Sequence, residues 1–207
     1  MKKIGILAYG SLIEDPGSEL EPMIDEIIID VDTPFNIEFA RTSRTRDHAP
    51  TVVPVDVDGA PVKAVILVLK DGVDLRLAKD LLWRRETRNE GSDRHYLEPE
   101  NPTPNQIVIV EAMGLGGIDT VLYTKFGANI NKPTSKKLAR LAIKSTAGQA
   151  GVAGKDGISY LMSLKRKKIV TPLMAEYEAE ILKSLGVNSL EAALKLLRAK
   201  ANQNTES

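Results

Sequence analysis

Few residues in this chain are equipped to do chemistry. Its 207 residues include no cysteine and two histidines, His48 and His95, far apart in sequence. The lack of cysteine excludes disulfides, thiolate nucleophiles and Cys-based zinc sites together. Neither histidine stands in an HExxH or HxH pattern, so no metal site is expected. A Ser-His-Asp triad stays open, but no GxSxG elbow supports it, and no GxxxxGK[ST] phosphate loop occurs. What remains is carboxylates, tyrosines and backbone amides.

Two stretches use that inventory. In the first, the apolar run 4–8 stops at Tyr9-Gly10-Ser11-Leu12, and Glu14, Asp15, Pro16 and Gly17 follow closely. Gly10 can turn where a side chain would clash, successive N–H groups there can form an anion-binding nest, and Ser11 adds a hydroxyl. The same residues also fit a plain strand-end turn with Tyr9 half buried. The second stretch is Leu82-Trp83-Arg84-Arg85-Glu86. Glu86 closes a predicted helix, where the negative end of the macrodipole destabilises its anion. If also partly desolvated, such a glutamate is a better base than an exposed one. Arg84, Arg85 and Arg88 pull the other way, and a solvated charge cluster fits them equally. Trp83 fits the core. Arg44 and His48 fit surface charge.

The elements that must position these residues are strands first and helices later. Strands are expected at 3–8, 26–31, 35–39 and 51–57, with Pro34 turning the chain between the second and third. The turn Asp58-Gly59-Ala60-Pro61 predicts a hairpin between 51–57 and an apolar strand at 62–69. Asp74 is expected to cap a helix running to about Arg85, with Leu75, Ala78, Leu82 and Arg85 on one face. A polar loop, 88–104, precedes strands at 106–113 and 119–126. Helices follow at 135–147, 158–164, 172–185 and 189–201, with Gly186 as a stop and Ser189 as a cap. The glycine-rich stretch 148–157 lacks a preceding strand and is taken as a linker. The order predicts an α+β fold in one domain over 1–201, strand-rich to 130 and helical from 131, with a frayed tail at 202–207.

Bulk properties narrow the partners. Lys plus Arg number 28 and Asp plus Glu 28, so the formal net charge is zero. No overall basic excess favours nucleic acid or an anionic membrane, although a local patch is compatible with this balance. The basic run 165–168 is explained by a solvated helix end. The basic start, Met1-Lys2-Lys3, is followed by too short an apolar stretch for a signal peptide. No run approaches the ~18 apolar residues of a membrane span. A cytoplasmic protein is expected.

Taken together, Tyr9-Gly10-Ser11-Leu12 after a first strand and an acid closing a later helix resemble the γ-glutamylcyclotransferase-like family. The two are 77 residues apart (86 − 9), similar to that family's spacing. "YGSLI" and "LLWRRE" look closest to its ChaC-type branch, and Gly154-Lys155-Asp156-Gly157-Ile158-Ser159-Tyr160-Leu161 is similar to that branch's Gly-rich turn into "YL". The resemblance implies a small mixed sheet curled into a partial barrel with helices outside it. It implies that amides at Gly10, Ser11 and Leu12, beside Tyr9, hold the α-carboxylate of a γ-glutamyl group. It implies Glu86 as general acid/base, with Glu90 of an "EG" pair as its rival. Tyr123, in "VLYTKFG", matches a family strand ending near the site, where its hydroxyl lines the pocket or is structural. The expected reaction is metal-free and cofactor-free cyclisation of a γ-glutamyl amine or peptide, glutathione among the candidates, to 5-oxoproline. A non-catalytic ligand-binding module on the same fold is the alternative. The polar loop 87–104 is long enough to close as a lid.

Overall fold

The structure is a computed structural model that describes residues 2–203. Seven strands and six α-helices are found among the described residues: β1 (Ile4–Ala8), β2 (Ile24–Asp32), β3 (Asn36–Ser43), β4 (Ala49–Val55), β5 (Lys63–Leu69), α1 (Leu75–Thr87), β6 (Val108–Met113), β7 (Thr120–Lys125), α2 (Ser135–Thr146), α3 (Gln149–Val152), α4 (Gly157–Arg166), α5 (Met174–Leu185) and α6 (Leu190–Gln203). They fall into two compact units interleaved along the chain, Met1–Pro34 with Pro61–Gly127, and Phe35–Ala60 with Ala128–Ser207.

The first unit is a five-stranded mixed sheet in the order β2-β5-β1-β7-β6. β1 is central, antiparallel to β5 and parallel to β7. All five of its residues are buried, which is what an unbroken apolar run requires when both faces are covered. Gly5 allows a close approach, since a Cβ there would lie 2.5 Å from Ile66 Cγ2 on β5. The order ends in two edges, β2 and β6, so the sheet does not close into a barrel. Helix α1 packs on it. Asp74 caps α1 by accepting from the Leu77 N–H at 2.8 Å, and the buried Ala78, Leu81 and Leu82, at helical spacing, share a core with Ile6, Leu67 and Leu122. Arg88, in the left-handed region at φ 58°, ends the helix.

The turn at 58–61 does not make the expected hairpin. β4 pairs antiparallel with β3 in the second unit, whereas β5 pairs with β1 and β2 in the first. Ile66, Leu67, Val68 and Leu69 are all buried, so β5 needs neighbours on both edges and cover on both faces. An interior place in the large sheet supplies them; a two-stranded ribbon does not.

In the second unit the β3–β4 ribbon is joined by α2 to α6. Phe39 of β3 meets Tyr177 of α5 edge to face, with ring centroids 5.0 Å apart. The buried Glu38 carboxylate accepts from Thr171 Oγ1 at 2.6 Å and from the Leu173 N–H at 2.9 Å. The stretch 148–157, expected as a plain linker, holds the short helix α3. Asp156, near its end, caps α4. Its fully buried carboxylate accepts from the Ser159 N–H at 2.8 Å, Ser159 Oγ at 2.7 Å, Thr146 Oγ1 at 2.8 Å and Arg198 Nη2 at 3.2 Å. Desolvation alone would raise this acid's pKa; the bonds from Ser159, Thr146 and Arg198 outweigh it and hold the carboxyl below its ordinary value. α6 takes in Asn202 and Gln203 of the expected tail, and 204–207 lie outside the described residues.

A carboxyl with a depressed folded pKa stabilises the fold above its unfolded pKa, near 3.8, and stops doing so as pH falls through the folded value. Asp156→Asn is therefore expected to cost about 1.5–3 kcal/mol at neutral pH, the range for hydrogen bonds to a charged group. The gap from wild type should close as the pH is lowered through the carboxyl range, which urea unfolding at a series of pH values measures.

Candidate active site

Strand β1 delivers Tyr9 in extended conformation, and Gly10 then turns the chain at φ 77°, a region that favours glycine. Residues Gly10–Ile13 form one 3₁₀ turn. Ser11 is exposed, whereas Leu12 is buried in the core that also holds Leu82 of α1. Tyr9 is anchored across the sheet, its hydroxyl donating to the Thr124 carbonyl on β7 at 3.0 Å. The next residue back along β7, Tyr123, is half-buried, and burial pushes its phenol above the ordinary value.

The end of α1 is tied to the segment that leaves this turn. The Ser11 carbonyl accepts from the Glu14 and Asp15 N–H groups at 3.2 and 3.0 Å. The Asp15 carbonyl then accepts from Arg85, through Nε at 3.0 Å and through Nη2. The remaining arm of the same guanidinium, Nη1, donates to Glu86 Oε1 at 2.6 Å. One planar cation thus grips both the loop after the turn and the acid at the helix end. The Glu86 side chain is 17% exposed, so it is sheltered but reachable. Its position in the last turn of α1 is the one expected from the sequence.

Glu90 has a different task. Its Oε1 accepts from the Glu19 N–H at 3.2 Å and from Ser18 Oγ at 3.3 Å. Reciprocally, Glu19 Oε1 accepts from the Gly91 N–H at 3.1 Å, and its other oxygen pairs with Arg84 Nε at 2.7 Å. Arg84 also donates to the Arg94 carbonyl at 3.1 Å. Loop 17–19 and loop 90–91 are laced together by each other's carboxylates. Gly17 fits between them, because a Cβ there would lie 2.5 Å from Glu90 Oε1 and 2.8 Å from Arg85 Cγ.

The sequence pointed to Tyr9, Gly10, Ser11, Leu12 and Glu86, and the Arg85 bridge ties the segments that carry them. Arg44 and His48 are exposed members of the second unit. Three groups escaped sequence reasoning. Arg84 and Arg85 read as a solvated charge pair, yet Arg84 is buried and Arg85 is the bridge. Asp80 is also buried, accepting from the Tyr96 N–H at 2.7 Å and lying 2.7 Å from His95 Nδ1. Desolvation would raise the Asp80 pKa, and the contacts with His95 and Tyr96 outweigh it and lower it. The available signal was an acid on the apolar face of α1 between Ala78 and Leu81, which requires a partner. Among the described residues no cluster of three or more His, Cys, Asp or Glu could hold a metal ion, and no helix is long and apolar enough to cross a membrane.

No protein-family model and no curated protein matches the chain. Among solved structures it is similar to a glutathione-specific γ-glutamyl cyclotransferase from yeast, at a TM-score of 0.52 and 15% identity, over 88% of this chain and 99% of that one. The fold is γ-glutamylcyclotransferase-like.

The two loop glycines give a controlled test of the lacing. Both have positive φ, but nothing lies within 4 Å of a Cβ at Gly91. Gly91→Ala should cost about 1–2 kcal/mol, from the backbone alone. Gly17→Ala should cost at least about 1 kcal/mol more, because it also overpacks against Glu90 and Arg85. Denaturant midpoints of the two variants measure the difference.

Proposed function

We propose that the chain is a γ-glutamyl cyclotransferase. It would cyclise a γ-glutamyl amine or peptide to 5-oxoproline and release the free amine or peptide. The α-amine of the γ-glutamyl group attacks its own γ-carbonyl carbon, a C–N bond closes the five-membered ring, and the original amide C–N bond breaks. The nucleophile and the electrophile belong to one molecule, so the enzyme's first task is to hold that molecule bent. Amides of the 10–12 turn, with Tyr9 beside them, take the α-carboxylate. The second task is proton transfer. The α-amine has a reference pKa of about 8 and is mostly protonated at neutral pH. Glu86 accepts its proton and returns one to the leaving nitrogen, so no cofactor enters the balance.

The observation that carries this reading is the Arg85 guanidinium shared between the Asp15 carbonyl and Glu86. It is a device for setting an acid at a fixed offset from an amide turn. It also favours Glu86 over Glu90, whose carboxylate is occupied by Ser18 and Glu19. Arg85 is thus a positioning residue. The likeness to the yeast enzyme supports the fold on which this arrangement stands. Glutathione is the first substrate to try, and the resemblance of "YGSLI" and "LLWRRE" to the ChaC-type branch supports that choice.

A second reading, a ligand-binding module without turnover, is favoured by the same pair. Glu86 Oε1 already accepts from Arg85 Nη1 at 2.6 Å, so this oxygen is committed to a structural contact. Release of 5-oxoproline from glutathione and γ-glutamyl dipeptides separates the two. Turnover is expected, and tight binding without product would overturn the enzymatic reading. Glu86→Gln should lower kcat by about 10²–10⁴-fold with the unfolding midpoint unchanged, the usual contribution of a positioned acid/base. Glu90→Gln should lower the midpoint and keep most of kcat. The reverse pattern would show Glu90 to be the acid.

A further inference from the structure

The zero net charge of the chain conceals an opposition. The unit formed by 1–34 and 61–127 carries 11 Lys and Arg against 18 Asp and Glu, a net of −7. The unit formed by 35–60 and 128–207 carries 17 against 10, a net of +7.

On the basic unit, Lys136, Arg140 and Lys144 recur every four residues along α2, all three exposed. No ion pair engages them among the described residues. They line an open groove of about 560 Å³ with α5, which Ile143 and Leu185 share. Three cations about 6 Å apart along a helix, beside apolar side chains, suit an acidic segment that also carries aliphatic residues. No aromatic side chain lines the groove to stack a base, and Glu180 stands in it, both of which disfavour nucleic acid.

The acidic unit supplies such a segment. β2 is an edge of the five-stranded sheet and reads Ile-Asp-Glu-Ile-Ile-Ile-Asp-Val-Asp. Ile27 and Ile29 are 55% and 67% exposed. Asp25, Glu26 and Asp30 are exposed and carry no ion pair among the described residues. Pairing of β2 with another β2 would set acid against acid, and its two register shifts further spoil it as a template.

We propose that the chain self-associates through unlike surfaces: the β2 edge of one copy docks on the α2–α5 groove of a second copy. The contact is heterologous, so it closes into a pair if each copy both gives and receives an edge, and extends into a chain otherwise.

Sedimentation equilibrium of the full chain tests this. The protein should associate in about 0.1 M salt and become monomeric in about 1 M, as the Debye length falls from about 10 Å to about 3 Å. The triple variant Lys136→Glu, Arg140→Glu, Lys144→Glu should weaken association by about 100-fold or more, since like charges facing across an interface are strongly disfavoured. The double variant Asp25→Lys, Glu26→Lys should do the same. Mixing the two variants should restore a complex, because each then meets its complement, and this rescue also shows that neither has misfolded. A wild type that is monomeric in low salt would overturn the proposal. So would association that survives either reversal, or a mixture that stays apart. Salt-sensitive binding of a labelled single-stranded oligonucleotide by a monomeric wild type, abolished by the α2 reversal, would assign the groove to a nucleic acid instead.

Discussion

The forked contact of Arg85 is the constraint on which the candidate site depends. Its Nε and Nη2 hold the carbonyl of Asp15, and its Nη1 holds Glu86. Neither partner alone fixes anything useful: a lone carboxylate at a helix end sweeps through several rotamers, and a turn after a strand can leave in several directions. A planar cation with donors in fixed directions couples the two. Arg84 repeats the device one residue earlier, holding Glu19 and the Arg94 carbonyl. Consecutive residues of a helix point about 100° apart, so the two arginines fasten loops on neighbouring sides of the end of α1.

This arrangement explains a charge balance that looks wasteful in the sequence. The seven charged residues of 84–94 would be costly in a partly buried place without partners. The structure gives several of them hydrogen-bonded oppositely charged or carbonyl partners, and it gives Glu86 shelter without full burial. The fold itself does not specify a reaction; what argues for chemistry is a sheltered acid tied through Arg85 to the segment that follows the 10–13 turn.

Much of the framework was legible in the sequence because its signals are local. β1 announced itself as a short unbroken apolar run, the turn at Gly10 by a residue free to take positive φ, and α1 by Asp74 at its cap. Each depends on residues within a few positions. The pairing of β5 was not legible. The turn at 58–61 carries strong hairpin residues, but strand partners are chosen by total burial, and four consecutive buried residues in β5 outweigh a local turn preference. The roles of Arg84, Arg85 and Asp80 were hidden for a related reason. An ionic side chain near a helix end is ordinarily solvated, and only the arrival of loops distant in sequence makes it a partner. The contacts of Glu90 with Ser18 and Glu19 were hidden in the same way, because loop 17–19 is some seventy residues away in the chain.

The central place of β1 bears on how the polypeptide leaves the ribosome. Gly5 pairs with Val68 on one side and with Val121 on the other. Strand β1 is therefore made before both of its partners and must wait for them. At about 5–20 residues per second the second neighbour is translated roughly ten seconds later. During that interval a bare hydrophobic pentapeptide trails from the nascent chain, a natural landing place for a holdase and the stage at which synthesis is most exposed to clumping.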